Sequence, residues 1–267
     1  MLDQTTIDAI AREYVAAGNE RRRIPPPSAR NPGFTIEDAY AVQQAWVRLK
    51  EAEGRRVEGR KIGLTSRAMQ SISGINEPDF GALLDDMFFA DGSEIPVDRF
   101  IEPRLECELA FVLGQPLKGH GCSIFDVLKA TDYVVPAVEI IDLRTLNEDP
   151  ESGGKRMVFD NIADNAGNAA LVVGGRPVRP DDVDMRWIAA LCSRNGIIEE
   201  SGVAAAVMNH PANSMAWLVN KLADFDIGLE PGQVVLAGSF TRIVHAHKGD
   251  VFHIDYGPLG AISCRFV

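Results

Sequence analysis

The chain has 267 residues, 46% hydrophobic and 24% charged, enough for one large or two small domains with a sizeable core. Its formal net charge of −11 argues against a nucleic-acid or anionic-membrane surface unless a local basic patch overrides the total. The four cysteines, Cys107, Cys122, Cys192 and Cys264, form no CxxC pair, and the N-terminal MLDQTTIDAIAREY has no basic region ahead of an apolar stretch. No disulfide framework, signal peptide or membrane span is expected, and the cytoplasm is the expected compartment.

Thr5 or Thr6 is expected to cap a first helix, with Ile7, Ile10, Ala11, Tyr14 and Val15 as its apolar stripe. Arg21, Arg22 and Arg23 follow, then Ile24-Pro25-Pro26-Pro27, which cannot be helix interior. Such an arginine run is ordinarily solvated; one member facing an anionic pocket is the rarer alternative. Thr35 caps a second helix with Asp38 at its third position, Ala39, Val42, Trp46 and Leu49 inward and Gly54 as its stop. Residues 57–64, VEGRKIGL, read as a short strand into a loop, carrying Lys61 beside Ile62 and Gly63. NEPDFG at 76–81 is turn chemistry and puts Asp79 in a turn. Residues 1–79 thus read as a mostly helical N-terminal portion, and 80–267 as a β-rich core.

Within that core, PRLECELAFVL (103–113) alternates with period two, which reads as a strand. Glu106 and Glu108 then share one face, about 7 Å apart along the backbone, with Cys107 on the other. If their heads converge to about 4 Å, they repel by about 4 kcal/mol at an effective dielectric near 20, and a divalent cation turns that repulsion into attraction. A solvated edge strand is the plain alternative. YVVPAVEIID (133–142) sets a third carboxylate, Glu139, among Val134, Val135, Val138, Ile140 and Ile141, where it must be neutralised, paired or bound to metal. Three glutamates make an oxygen-only set, which favours Mg²⁺ or Mn²⁺ over Zn²⁺.

Further along, DNIADN (160–165) reads as an Asx-rich loop between buried strands. Asn195-Gly196 suggests a hairpin. Ser123 caps a short helix, and Asn209 a longer one with Pro211 in its first turn and Met215, Leu218, Val219 and Leu222 as its stripe. Strands are expected at 234–238, 251–256 and 261–266. His245 and His247 share a strand face but lack a third ligand nearby. No dinucleotide, P-loop, zincin or α/β-hydrolase motif is present.

Taken together, GRKIGLTS (59–66), EPDFGALL (77–84), EPRLECELAFVL (102–113), PAVEIID (136–142), DNIADNA (160–166) and NHPANSMAWLVNKLA (209–223) resemble the hydratase/decarboxylase group of the fumarylacetoacetate hydrolase-like superfamily. The resemblance covers nearly the whole chain, and its motifs keep their order. It implies an α+β fold, a mixed β-sandwich or roll with a mostly helical N-terminal portion, in a ring-based homo-oligomer. It also implies Mg²⁺ or Mn²⁺ on Glu106, Glu108 and Glu139, with Lys61 and Asp79 as acid–base residues in an order the sequence leaves open. The C-terminal segment 238–267 looks most like members that hydrate 2-oxohept-4-ene-1,7-dioate, a small-molecule 2-oxo diacid. Hydration of 2-hydroxypenta-2,4-dienoate, decarboxylation of 4-oxalocrotonate and a non-catalytic partner subunit stay open. A seven-carbon diacid needs a cation for its remote carboxylate, and Arg242, the one charge in GSFTR (238–242), is the expected residue.

Overall fold

The computed structural model describes residues 1–267. It opens with α1 (Gln4–Glu20), α2 (Pro27–Arg30) and α3 (Ile36–Ala52). Asp3 caps α1, not Thr5 or Thr6: its carboxylate accepts from Thr6 N at 2.7 Å. An ionised acceptor just upstream outcompetes the hydroxyls. The stripe Ile7, Ile10, Ala11 and Tyr14 is buried and Ala17 extends it. Thr35 caps α3 as expected: its hydroxyl accepts from Asp38 N while Asp38 accepts from Thr35 N. Ala39, Val42 and Trp46 of α3 face inward, and α1 packs on this helix.

The chain then runs through β1 (Val57–Gly63), α4 (Arg67–Ser73), β2 (Asp79–Leu84), β3 (Phe88–Ala90), β4 (Glu94–Ile95) and β5 (Arg104–Leu113). Next come α5 (Ile124–Ala130), β6 (Thr131–Ile141), α6 (Val158–Ala163), β7 (Asn168–Val173), and the hairpin β8 (Ala189–Arg194) with β9 (Ile197–Val203). It closes with α7 (Pro211–Ala223), β10 (Val234–Leu236), β11 (Val244–His245), β12 (Val251–Asp255) and β13 (Ala261–Phe266). Eight strands form a mixed sheet in the order β2-β1-β10-β5-β6-β7-β3, with β11 also pairing β5. The other five form a second sheet, β4-β13-β12-β8-β9. Leu105, Cys107, Leu109 and Phe111 of β5 share one core with Phe252, Ile254, Ile262 and Phe266 of the second sheet. This is the α+β arrangement with mixed sheets that the resemblance implies.

Four further local expectations need correction. Asp79 is not in a turn; it is the first residue of β2, paired with Gly63 of β1, because the apolar run after it is buried throughout and pulls the strand start forward. DNIADN is not all loop: Asp160 falls inside α6, accepting from Met157 N at 2.7 Å in its first turn. The six-residue helix is too short for its period to show among Asx residues. His210, not Asn209, caps α7, its Nδ1 accepting from Ala212 N, while Asn209 sits at a left-handed φ of 66°. His247 lies beyond β11 and faces Asp250, so the two histidines are not a strand-face pair.

Candidate active site

Strand register builds the acidic cluster. β5 and β6 pair antiparallel with Glu106 directly opposite Glu139 and Glu108 opposite Ala137. Residues facing each other on one sheet face have Cβ atoms roughly 5 Å apart. The third glutamate, two residues along β5, closes the triangle. One carboxylate oxygen from each of Glu106, Glu108 and Glu139 lies within 4.8 Å of the others. Glu108 and Glu139 are fully buried, and Glu106 partly so.

Three carboxylates at that spacing repel by roughly 3 kcal/mol per pair at an effective dielectric of 20. Burial, then the neighbouring Glu139, pushes the Glu106 carboxyl up to about 8. Burial and the same neighbours push Glu108 well above the usual carboxylate range. Glu108 Oε1 and Glu139 Oε2 are buried without a hydrogen-bond partner. Their other oxygens are held: Glu108 Oε2 accepts from Gly238 N at 2.7 Å, and Glu139 Oε1 from Asn168 Nδ2 at 2.9 Å. A converging set of three carboxylates, with two unpartnered oxygens and two others oriented by neutral donors, fits a hard divalent cation.

Lys61 and Asp79 come to the same place from β1 and β2. Lys61 Nζ lies 3.3 Å from Glu139 Oε1 and donates to Ala166 O at 3.0 Å. Burial works against its ammonium, but Glu139, Asp79, Glu108 and Glu106 outweigh it and push the amine above its ordinary value. Burial raises Asp79 to about 6 against the pull of Lys61, and its Oδ1 has no partner. Gly63 makes room for both: a Cβ there would meet Asp79 Oδ1 at 2.2 Å and Lys61 Nζ at 3.0 Å.

Sequence reasoning missed the supports. Asn165 and Ala166 both sit at left-handed φ, 52° and 51°, a strained pair ahead of Gly167. Asn165 is tied to β2 in both directions, accepting from Ala82 N and donating to Ala82 O. This turn aims Ala166 O at Lys61, and two residues later Asn168 reaches Glu139. The Asx density of 160–168 was the available signal. Arg242 is not brought to the cluster. Its side chain is 88% exposed and pairs with Glu200 at 3.1 Å, although Gly238 of the same segment touches Glu108. A backbone N–H there needs no particular side chain, so the segment was legible and the residue was not.

The family model described as Fumarylacetoacetate (FAA) hydrolase C-terminal matches residues 60–267. The chain is 62% identical over 267 residues to 2-oxo-hept-4-ene-1,7-dioate hydratase of Escherichia coli, covering all of both chains. It is 37% identical over 268 residues to 2-hydroxyhexa-2,4-dienoate hydratase of Comamonas testosteroni, covering 100% of this chain and 99% of that one. Among solved structures, 4-oxalocrotonate decarboxylase from Pseudomonas putida G7, complexed with magnesium and adipate, superposes with a TM-score of 0.95 at 34% identity, covering 100% of this chain and 99% of that one. The chain belongs to the fumarylacetoacetate hydrolase family.

Proposed function

We propose that this protein is a divalent-metal-dependent hydro-lyase that adds water to 2-oxohept-4-ene-1,7-dioate, giving 4-hydroxy-2-oxoheptanedioate in homoprotocatechuate breakdown. The observation that carries it is the buried Glu106–Glu108–Glu139 triangle with Lys61 and Asp79 beside it, in a chain so similar to a hydratase of that substrate. Mg²⁺ or Mn²⁺ held by the three glutamates supplies Lewis acidity toward the 2-oxo acid end of the substrate.

The chain's own groups move the protons. Asp79, raised to about 6 and with Oδ1 free, has the affinity of a general base near neutral pH. Lys61, held protonated by the carboxylates around it, is the donor. C3 loses a proton and C5 gains one, which shifts the double bond to C3–C4; water then adds at C4 and a proton returns to C3, so no covalent nucleophile is required. Buried walls of β1, β2 and β6 keep bulk water from both groups.

Incubation with 2-hydroxyhepta-2,4-dienedioate and Mg²⁺, followed by mass spectrometry, tests the reading: the product should gain one water. Release of CO₂ from a 2-oxo-3-enedioate would instead favour decarboxylation, the reading that the structural likeness to 4-oxalocrotonate decarboxylase supports. We further propose a homo-oligomer, because Trp187, Ile197 and Ile198 stand 70%, 70% and 60% exposed on and beside the β8–β9 hairpin. Light scattering on the eluted protein tests it, and a monomer mass at micromolar concentration would exclude it. No helix is long and apolar enough to cross a membrane. The four free cysteines suit a reducing compartment such as the cytoplasm.

A further inference from the structure

The face of β5 that carries Glu106 and Glu108 begins with a third charge, Arg104. The glutamates form the acidic triangle; Arg104 is not one of its ligands, though its charge favours the ionised form of Glu106. Arg104 Nε is buried and has no hydrogen-bond partner, although Glu106 and Glu102 are both near enough to feel its charge. Glu102, nearby in sequence, is engaged by Arg23 and His245. Arg156 is in the same position. Its Nη1 donates to Thr145 O at 3.1 Å, but no acidic side chain pairs with it. Burial and the adjacent Arg104 push the Arg156 guanidinium below its ordinary value. The chain has 38 acidic against 27 basic residues, so a carboxylate for either arginine was not scarce. The unmatched Nε–H of Arg104, on the strand face of the acidic triangle and with a second guanidinium near it, leaves donor capacity for an anion from outside.

The spacing identifies which anion. Residues two apart on a strand are separated by about 7 Å. The two carboxylate carbons of an extended seven-carbon diacid are roughly 7.5 Å apart for C–C bonds near 1.5 Å. That length matches the backbone spacing between Glu106 and Arg104. Of the other cations considered for this end, Lys61 is committed to Glu139, and Arg242 to Glu200 at the surface. We propose that Arg104, assisted by Arg156, receives the remote carboxylate of the substrate and sets the preference for a seven-carbon diacid over a shorter monoacid. This rests on reading the site as that of a 2-oxo acid hydratase.

The test is calorimetric titration of the Mg²⁺-loaded protein with 2-oxoheptanedioate and with 2-oxopentanoate, neither of which carries a double bond to hydrate. Arg104→Gln should weaken the diacid on the order of thirtyfold and the monoacid by less than about threefold. Arg104→Lys should keep part of the diacid affinity, and Arg156→Gln should lose less than Arg104→Gln but with the same selectivity. Mg²⁺ titration of each variant should stay within about threefold of wild type, which separates anion binding from damage to the triangle. Equal losses on both ligands, or an undiminished preference for the diacid, overturns the assignment. Should Arg104→Gln fail to fold, Arg104→Lys and Arg156→Gln decide, and full diacid selectivity in both overturns it. Failure of the wild-type protein to hydrate its substrate would sink the hydratase reading while leaving this affinity contrast measurable.

Discussion

Glu106 and Glu139 meet head-on across the β5–β6 ladder, whereas Lys61 and Asp79 are diagonal neighbours on the β1–β2 ladder, Lys61 opposite Gly81 and Asp79 opposite Gly63. The first arrangement needs only correct register, since alternation and pairing bring the carboxylates together. The second needs a missing side chain at Gly63 and a strained turn at Asn165–Ala166 to steer Lys61. In the proposed site, ligand geometry is a property of regular structure, and proton-transfer geometry a property of its exceptions.

The largest effects should come from the register-built half. Glu108→Gln and Glu139→Gln should each lower turnover on the order of a thousandfold or more and weaken Mg²⁺ binding in calorimetry, with the circular dichroism of the fold unchanged. A variant that regained wild-type activity when Mg²⁺ was restored after EDTA treatment would remove that residue from the ligand set. Next come Lys61→Ala and Asp79→Asn, expected to lower kcat on the order of a hundredfold while leaving Mg²⁺ affinity nearly intact. Gly63→Ala should act on the same half, since the new methyl displaces Asp79, with a loss of kcat on the order of a hundredfold. If Gly63→Ala weakened Mg²⁺ as much as turnover, the two halves would not be separable. Asn168→Ala crosses between them: it leaves Glu139 Oε1 with Lys61 alone, and Mg²⁺ affinity should drop about tenfold.

The smallest effect is on stability. With metal chelated, Glu106 titrates near 8 in the folded chain against 4.5 for a free glutamate, and Glu108 is raised as well. Between those pH values the unfolded chain has already released protons that the folded chain keeps. Stability is therefore greatest below about pH 4.5 for these groups and declines as pH rises toward 8. The melting temperature in EDTA should fall from pH 5 to pH 8 by more than that of the Mg²⁺-loaded protein. Parallel slopes with and without Mg²⁺ would mean the glutamates do not take up the ion.

The sequence made one half legible and left the other partly dark for the same physical reason. Alternation in PRLECELAFVL and the isolated Glu139 are periodic signals, and the sheet preserves them as a contact. Lys61 and Asp79 were recoverable only as members of matching motifs, because nothing in NEPDFG or GRKIGL announces that a strand begins at Asp79. Asn165 and Ala166 escaped notice as supports because left-handed backbone at non-glycine residues has no compositional mark, and Asn168 because nothing in an Asx-rich run shows which side chain points inward. Arg242 was chosen for being the one charge in its segment, a criterion blind to direction. Arg104 stood two places before Glu106 in the same alternating run and needed only the same parity argument.

The connection between β5 and β6 leaves the ladder at Leu113 and returns at Thr131, the end farthest from Glu106 and Glu139. Glu108 itself is five residues from that end, about 17 Å along the strand. At the crest, Gly119 and Gly121 flank the exposed His120 with left-handed φ values of 97° and 84°. A loop of that kind lengthens at little entropic cost. The crest is thus a natural attachment point: a flexible peptide inserted between His120 and Gly121 could carry a fluorophore or tether the enzyme to a support, while the chemistry at the opposite end of the ladder continues undisturbed.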